Sequence, residues 1–406
     1  MRRRTFLGVT LAAVSLAMSA ASLALRAAVA QVPAVRPRQR AIRLPPLPKW
    51  MKKTDNIDSN DFVRRAQDYE RSHSFFPAAL LIGGLGIHAH GETQVSAPIL
   101  YYGMCDASAA VALTEKLFAV ASDEESVIRV YDRDQNGAPV QSINLSAFLD
   151  LDARKPESDL EGAARVGDRA YWITSHGRNK RGKQRPSRDR FFAVQIVTNA
   201  QRVELKMLGK PYEHLLDDLM RDPKLKPFNL AAASKLEPKA RGALNIEGLS
   251  ATPEGSLLIG FRNPIPGGKA LLVPMLNPDA VIHGQAATFG EPIRLDLGGL
   301  GIRDMAYRDG QYAIIAGPYD GKGPSHLYEW LGGASTPRRV KHTHLRGLNP
   351  EAIIFYPDKG AAQFQLLSDD GKKLVNGKPC KELADPSRQH FRSVWIFERQ
   401  NKGVPD

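Results

Sequence analysis

An acidic residue recurs in five similar stretches of the chain, each time just before a short run of small and apolar residues. One stretch begins at Leu244 and reads "LNIEGLSATPEGSLLIGFRNP", with the acid at Glu247 and a polar end at Arg262 and Asn263. The five acids are Asp106, Glu161, Glu247, Asp304 and Glu351. The polar residues that end the second apolar run of each stretch are Asp123, His176, Arg262, Asp320 and Asp369. Side chains of these types bind metal ions, transfer protons and bind anions.

If the fold gathers these acids, their charge has to be compensated. Clustered carboxylates resist ionisation and lose hydration unless cations or protons accompany them. A divalent cation is one solution, and oxygen ligands alone favour calcium or magnesium over zinc. The alternative is a structural network in which Arg178, Arg262 and Arg303 pair with the acids. We expect the charge to serve a function, because neutral residues would serve folding better.

Residue type and position give each polar residue a role. Glu247 is the predicted general base or central ligand, because the only Arg-Asn pair that ends a hairpin follows it. The predicted catalytic residues are Glu247, Glu161, His176 and Arg262. The predicted metal ligands are Asp106, Glu161, Glu247, Asp304 and Glu351. The residues predicted to bind a cofactor or substrate beside them are Arg178, Asn263 and Asp320.

The elements around these residues read as short β-strands separated by Gly, Asp, Asn and Pro. Each stretch contains a strand, a tight turn, a second strand and a polar loop, and two further strand-like runs follow most of them, such as "VIRVYD" and "PVQSINLS". Four antiparallel strands per repeat are typical of a propeller blade. We therefore predict an all-β fold, a β-propeller with five recognisable four-stranded blades over residues 96–400. A sixth, degenerate blade in 76–103 or 200–244 is the alternative.

The propeller geometry predicts where the acids lie. The start of a blade's first strand and the end of its second strand lie on one face of the disc, so the acids and the polar loops should share one mouth of the central channel. The last repeat lacks an outer strand, and "APILYYG" at 97–103 is expected to supply it and close the ring. A short helical insertion is predicted at about 211–240, where Leu, Met and Phe follow helical spacing.

The N-terminal segment reads as a secretion signal. Residues 1–30 have a basic start with Arg2, Arg3 and Arg4, an apolar middle and small residues before Gln31. This is the pattern of a twin-arginine signal peptide, and Arg26 argues against a stable membrane anchor. Residues 31–95 are predicted to form an extended or partly disordered leader with a short helix. The mature protein is therefore expected to be periplasmic or secreted.

Composition narrows the partners. The 406 residues include 56 Lys and Arg against 43 Asp and Glu, a formal net charge of +13. A basic exported protein favours an anionic small molecule or polysaccharide fragment as ligand, and nucleic acid is not expected outside the cytoplasm. No Walker or dinucleotide-binding signature is present, so no nucleotide cofactor is expected.

The two cysteines are predicted to form a disulfide. Cys105 opens the first blade and Cys380 follows the polar loop of the last, and those blades are neighbours in a closed ring. An exported protein meets an oxidising environment in which such a bond persists.

Several segments resemble a family of bacterial exported proteins catalogued only as a domain of unknown function. They are "GMCDASAAVAL", "LEGAAR", "SHGRNK", "NIEGLSATPEGSLLIGFRNPIPGGKALLVP" and "DLGGLGIRD". The resemblance covers roughly Leu100 to Glu398 and implies a propeller with no established activity, so it assigns no catalytic residue. The hairpins are also similar, more weakly, to those of phytase-like esterase propellers.

Two functions fit these observations. The first is a cation-assisted hydrolase of an anionic ester, phosphoester or sugar derivative; the alternative is a non-catalytic periplasmic propeller that binds a ligand or a protein. A carboxylate with an open coordination position beside His176 would favour the enzyme. A closed lattice of arginines and carboxylates would favour binding or a structural role.

Overall fold

The computed structural model describes residues 93–398, apart from positions 153, 155, 200–201, 342–344 and 346. The signal peptide predicted for residues 1–30 lies outside these residues, as does the leader predicted for 31–95 except for positions 93–95. In the part of the chain that the structure describes, no helix is long and apolar enough to cross a membrane.

The strands follow one another in blade order. Two strands precede the first blade, β1 (Thr93–Val95) and β2 (Ile99–Tyr102). Blade 1 holds β3 (Ala109–Ala112), β4 (Leu117–Ala121), β5 (Val127–Asp132) and β6 (Gln141–Asn144). Blade 2 holds β7 (Leu160–Val166), β8 (Arg169–Thr174), β9 (Phe191–Asn199) and β10 (Arg202–Tyr212). Blade 3 holds β11 (Asn245–Ala251), β12 (Leu257–Asn263), β13 (Ala270–Met275) and β14 (Ile293–Leu295).

The last two blades complete the ring. Blade 4 holds β15 (Gly301–Arg308), β16 (Gln311–Gly317), β17 (His326–Trp330) and β18 (Arg338–Arg339). Blade 5 begins with β19 (Pro350–Ile354) and β20 (Gln363–Ser368). A small hairpin of β21 (Leu374–Val375) and β22 (Lys378–Pro379) follows, before β23 (His390–Glu398). Both β2 and β1 pair with β23, so an N-terminal strand closes the last blade, as predicted.

The five sheets form a closed ring. All pairings within the blades are antiparallel, and β3, β7, β11, β15 and β19 contact one another in turn, with β19 meeting β3. These five innermost strands also line one cavity of about 300 Å³ at the end where they finish, which is one end of the central channel. The prediction of an all-β propeller with five four-stranded blades is confirmed, and the described residues contain no sixth blade.

Apolar side chains bind neighbouring blades to each other. Trp172 of β8 is fully buried in a cluster with Ile128 and Val130 of β5, so blades 1 and 2 share one core. Burying large side chains between sheets supplies most of the free energy that holds such a ring together. The ring is therefore rigid enough to fix the polar residues at its mouth.

The helical insertion lies between blades 2 and 3, as predicted. It contains α1 (Leu215–Arg221), a 3₁₀ turn at Pro223–Phe228 and α2 (Leu230–Ala233). Leu215 and Leu219 are buried in the cluster that also holds residues of β8 and β12. A short α3 (Pro278–Ile282) lies between β13 and β14. The insertion is thus packed onto the propeller.

The predicted disulfide is present. Cys105 and Cys380 are bonded, with their Cα atoms 5.9 Å apart, and the bond joins the segment before blade 1 to the segment before β23. A bidentate ion pair adds to this junction: Arg133 Nη1 and Nη2 lie 2.6 and 2.8 Å from the Asp358 carboxylate oxygens. The guanidinium also lies over the rings of Tyr356 and Trp395. Blades 1 and 5 are therefore joined by covalent, ionic and strand contacts.

Removing this disulfide is expected to weaken the ring. A Cys105→Ser/Cys380→Ser double variant should lose about 2–4 kcal/mol of unfolding free energy, because the bond restricts the unfolded chain. Guanidinium unfolding of the variant and of the oxidised protein measures the difference. Dithiothreitol should bring the wild type to the stability of the variant and leave the variant unchanged. Equal stability of variant and oxidised wild type would mean that strand pairing alone closes the ring.

Candidate functional site

One residue of the innermost strand bulges out of the ladder in four of the blades. In β7, Leu160 lies opposite Thr174 and Gly162 opposite Ile173, which leaves Glu161 without a partner. The register shifts at the same place in the other three, and the residues set free are Glu247 of β11, Arg303 of β15 and Glu351 of β19. A bulge re-aims a side chain and ends regular pairing. These four charged side chains therefore project where the innermost strands begin, at one mouth of the channel.

The bulge shows that the alignment of the repeats is wrong by one residue in blade 4. Asp304 pairs normally with Ile315, and its Oδ2 accepts a hydrogen bond from the Ile353 backbone N–H at 2.7 Å. Burial raises its pKa well above the usual range. Asp304 therefore ties blade 4 to blade 5, and the predicted metal-binding position is held by a cation, Arg303. Sequence spacing alone could not place a bulge to one residue.

One side of the mouth is an arginine lattice, by which we mean Glu247, Arg262, Arg303 and Glu351. Arg262 Nη1 donates to Glu247 Oε1 at 2.5 Å, and Arg303 Nε lies 3.7 Å from Glu247 Oε2. Arg303 also pairs with Glu351. Burial lowers the pKa of Arg303 to about 10, so it stays charged at neutral pH. This half of the mouth therefore has the structural network that was the alternative to a metal site, with Arg262 and Arg303 but without Arg178.

Two asparagines that the sequence reasoning missed complete this lattice. Asn245 Nδ2 donates to Glu247 Oε1 at 2.8 Å, and Asn349 Nδ2 donates to Glu351 Oε1 at 3.2 Å. Each asparagine precedes its glutamate by two residues, in "NIE" and "NPE". This shared spacing is the signal that would have found them.

Blade 2 has an aspartate in place of the asparagine. Its sequence is "DLE", so Asp159 stands two residues before Glu161. Together with Asp123 these residues form the acidic group, whose three carboxylates each offer an oxygen within 4.8 Å of the others. An ionised aspartate donates no hydrogen bond, so it cannot serve Glu161 as asparagine serves Glu247 and Glu351. Something else has to compensate this side of the mouth.

The acidic group is short of partners. Arg188 Nη1 lies 2.9 Å from Asp159 Oδ2 and also pairs with Glu157. The Oδ1 atom of Asp123 is inaccessible to solvent and has no hydrogen-bond partner among the described residues. Burial raises the pKa of Asp123 and of Asp159 to about 7. Burial, and then the charge of Glu247, raises that of Glu161 well above its usual range.

Two further carboxylates, Asp106 and Asp369, lie near the acidic group but are not part of it. Burial raises the pKa of Asp106 to about 9, and the charges of Asp123 and Asp369 add to the shift. Asp369 accepts hydrogen bonds from Asn349 Nδ2 and from the Gly371 backbone N–H, at 2.9 and 2.8 Å. Lys381, next to the disulfide, lowers the pKa of Asp106 and is the nearby cation on this side.

His176 and Arg178 lie elsewhere. His176 has a left-handed φ of 52° and is 3% exposed, and its Nδ1 lies 2.8 Å from the Thr174 carbonyl oxygen. Burial lowers its pKa to about 4, so the ring is neutral at pH 7 and carries no positive charge that could bind an anion. Arg178 Nε donates to the Ser234 carbonyl. No hydrogen bond or ion pair among the described residues joins either side chain to the carboxylates of the mouth.

The remaining predicted ligand-binding residues have structural partners. Asn263 Nδ2 donates to the carbonyls of Pro238 and Ala240, at 3.1 and 2.7 Å, and so anchors the end of the helical insertion. Asp320 accepts a hydrogen bond from the Lys322 backbone N–H within its own loop, and its charge raises the pKa of Arg262.

The donor set of the acidic group suits a hard divalent cation. Asp123, Asp159 and Glu161 would hold it through oxygen atoms alone, which is the preference of calcium and magnesium. The arginine lattice, in contrast, offers no carboxylate that lacks a cation or an amide beside it. The mouth is therefore divided into a neutralised half and an acidic half.

Solved structures similar to this chain include a glutaminyl cyclase from Myxococcus xanthus, at 10% identity and a TM-score of 0.40, covering 76% of this chain and 98% of that one. A PQQ-bound aldose sugar dehydrogenase from Streptomyces coelicolor has 12% identity and a TM-score of 0.37, covering 76% and 99%. Identities of this size say nothing about a shared activity. A search of the curated proteins finds no match.

A family model matches residues 106–206 and 193–356, which together make up more than half of the chain. These ranges contain Asp123, Asp159, Glu161 and the arginines of the lattice. The chain thus belongs to the family described as "Protein of unknown function (DUF3616)".

Proposed function

We propose that the acidic group binds calcium or magnesium, and that the protein uses the ion to hydrolyse an anionic ester, phosphoester or sugar derivative. The observation that carries this proposal is that blade 2 has an aspartate, Asp159, where blades 3 and 5 have an asparagine. At the same place in blades 3 and 5 the side-chain amide of an asparagine donates a hydrogen bond to the glutamate. Blade 2 has a carboxylate there, and a cation between Asp159 and Glu161 would make that arrangement favourable.

Glu161 is our candidate for the general base. A bound divalent cation polarises the scissile group and lowers the pKa of water. Glu161 projects from the bulge of β7 into the mouth beside Asp123 and Asp159, where its carboxylate would lie next to a water bound to the ion. Glu161 would take a proton from water while the water oxygen bonds to the ester carbon or phosphorus, and would return that proton to the alkoxide oxygen as the bond to the leaving group breaks. Glu247, predicted as the base from the sequence, is bound by Arg262 and Asn245 and is better suited to holding Arg262 in place.

The arginine lattice supports an anionic substrate. Arg262 and Arg303 place two guanidinium groups at the mouth beside the acidic group, where their charge would favour a substrate anion. We propose an anionic small molecule or polysaccharide fragment in the periplasm or outside the cell. The twin-arginine pattern and the disulfide support that location.

A non-catalytic binding propeller is the second candidate. It is favoured by two observations. Arg262 and Arg303 are already engaged by Glu247 and Glu351. His176, beside which an open carboxylate would have favoured the enzyme, makes no hydrogen bond to a carboxylate of the mouth among the described residues. Under this hypothesis the mouth holds a ligand or partner protein through the cation alone, and Glu161 is a ligand of the ion.

Calorimetric titration of the purified protein with calcium and with magnesium tests the ion site. We expect Asp159→Asn, which gives blade 2 the "NxE" pattern of blades 3 and 5, to weaken binding at least 100-fold; because it also removes a partner of Arg188, the melting temperature of the variant is measured beside its affinity. Asp320→Asn is the matched control, because it removes an acid of the mouth region outside the acidic group, and it should bind as the wild type does. Absence of ion binding by the wild type would overturn the proposal.

A hydrolysis screen separates the two candidates. Nitrophenyl acetate, nitrophenyl phosphate and bis(nitrophenyl) phosphate represent a carboxylic ester, a phosphomonoester and a phosphodiester. Each is assayed with and without chelator. Turnover that needs the ion and is lost in Glu161→Gln supports the hydrolase. Ion binding without turnover of any substrate class favours the binding propeller.

A further inference from the structure

A cavity of about 370 Å³ lies beneath the helical insertion, and its lining contains no residue of the acidic group. We call it the insertion cavity. One wall is the loop from His176 to Asp189, and the other is formed by α1, α2 and the residues beside them. Its size is at the lower end of the range for small-molecule sites. Leu216, Met220 and Ala231 supply the apolar part of its lining.

Two buried polar atoms in this lining have no partner. His176 Nδ1 is engaged with the Thr174 carbonyl as a donor, so in the neutral ring Nε2 is an acceptor, and it has no hydrogen bond. Arg185 Nε is buried and has no acceptor. Leaving a buried donor or acceptor without a partner destabilises the ligand-free protein, and a ligand that supplies the partner relieves that cost. The left-handed backbone of His176 adds strain of the kind that collects at functional sites.

Charges of both signs line the insertion cavity. Arg178, Arg185 and Lys235 are positive, and Asp189, Glu213 and Asp217 are negative. Glu213 and Asp217 pair with basic residues nearby, whereas no hydrogen bond to the Asp189 carboxylate occurs among the described residues. A simple anion would meet the acids and a simple cation would meet the arginines. A ligand that carries both charges would satisfy both walls.

We propose that the insertion cavity binds the ammonium and carboxylate groups of a free α-amino acid. Asp189 and His176 Nε2 accept hydrogen bonds from the ammonium group. Arg185 donates to the carboxylate together with Arg178 Nη2, since Arg178 Nε and Nη1 already donate to the carbonyls of Ser234 and Gly182. The side chain of the amino acid lies against Leu216 and Met220. Arg–carboxylate pairs are geometrically specific as well as strong, so the site would read the amino-acid backbone rather than charge alone.

This site is independent of the ion and of hydrolysis. None of its residues belongs to the acidic group or to the arginine lattice. Binding should therefore persist in the presence of chelator and in the Glu161→Gln variant. That persistence separates failure of this proposal from failure of the proposed hydrolase.

The test is a thermal-shift screen of the full protein with the common L-amino acids at millimolar concentration, followed by calorimetry for those that raise the melting temperature. For each positive amino acid, its N-acetyl form and its amide form are measured beside it, since each lacks one of the two charges. We expect the free amino acid to bind at least tenfold more tightly than either derivative. A dipeptide of the same amino acid is measured in the same way. Tighter binding of the dipeptide than of the free amino acid would contradict the proposal, because the cavity would then bind the end of a peptide.

Two variants and one control locate the site. Arg185→Met and Asp189→Asn should each weaken binding at least tenfold. The melting temperature of the ligand-free protein should stay within a few degrees, because neither the Arg185 guanidinium nor the Asp189 carboxylate makes a hydrogen bond among the described residues. Arg181→Met is the matched control, in the same loop but outside the cavity lining, and should bind normally. The proposal is overturned if no amino acid binds, if the N-acetyl form binds equally well, or if Arg181→Met loses binding as Arg185→Met does.

Discussion

Replacing Arg303 by methionine is expected to destabilise the protein by about 3–5 kcal/mol, the cost typical of breaking a buried charge pair. Arg303 is buried, pairs with both Glu247 and Glu351, and donates to Asn349 Oδ1 at 2.8 Å. Methionine keeps the apolar stem of the side chain but leaves Glu351 without its cation. Urea unfolding of the wild type and variant measures the loss.

A second substitution shows whether charge is the cause. Arg303→Met combined with Glu351→Gln should recover part of the lost stability, because the unpaired carboxylate is gone. Arg338→Met, which breaks the half-exposed ion pair with Glu329 in the same blade, is the control and should cost less than about 1 kcal/mol. An Arg303→Met variant as stable as this control would show that the lattice is dispensable for folding.

In the presence of chelator, the protein is expected to lose stability between pH 6.5 and pH 9.5. The pKa values of Asp123 and Asp159 are raised to about 7 and that of Asp106 to about 9, whereas an unfolded aspartate has a pKa of about 3.9. The folded state therefore holds protons that the unfolded state has released, and its stability falls as pH rises through the folded pKa values. Within this window the loss comes mainly from Asp106, whose folded pKa lies about 2.5 units above pH 6.5, with the end of the titration of Asp123 and Asp159 added. At about 1.4 kcal/mol per unit, the loss is on the order of 3–5 kcal/mol.

The pH window is chosen to isolate the acids. His176 has a lowered pKa of about 4, so its contribution is lost as pH falls below about 6.5, outside the window. Guanidinium unfolding at several pH values measures the trend. Calcium at millimolar concentration should flatten it, because the ion replaces the protons, and should do so less in Asp159→Asn. A stability that does not change over the window would mean that the acids are already paired by other groups.

The sequence predicted the fold because its information is periodic. Strand lengths, turn residues and the spacing of the repeats led to five blades, and the position of Cys105 and Cys380 in neighbouring blades led to the disulfide. The closing strand was predicted because the last repeat lacked one. These are properties of the chain that survive small errors in alignment.

The site was predicted less completely because it depends on single residues. A bulge shifts the projecting side chain from Asp304 to Arg303, and that one-residue shift changes the sign of the charge. His176 was predicted at the mouth because it follows the second strand of its hairpin. Its backbone has a left-handed φ, and its ring lines the insertion cavity instead. To predict that Arg303 pairs with both Glu247 and Glu351, one must know which blades are neighbours in space.

The pairing of β2 with β23 has a consequence for synthesis. β2 is among the first strands of the propeller to be made, and its partner is the last. Ile99 of β2 and its partner Ser393 of β23 are 294 residues apart, so at about 5–20 residues per second the ribosome needs roughly 15–60 s between them. For that time β2 lacks the edge it pairs with, and an unpaired strand invites association with other chains. We therefore expect the nascent chain to need protection until translation is nearly finished, and ring closure to be a post-translational step.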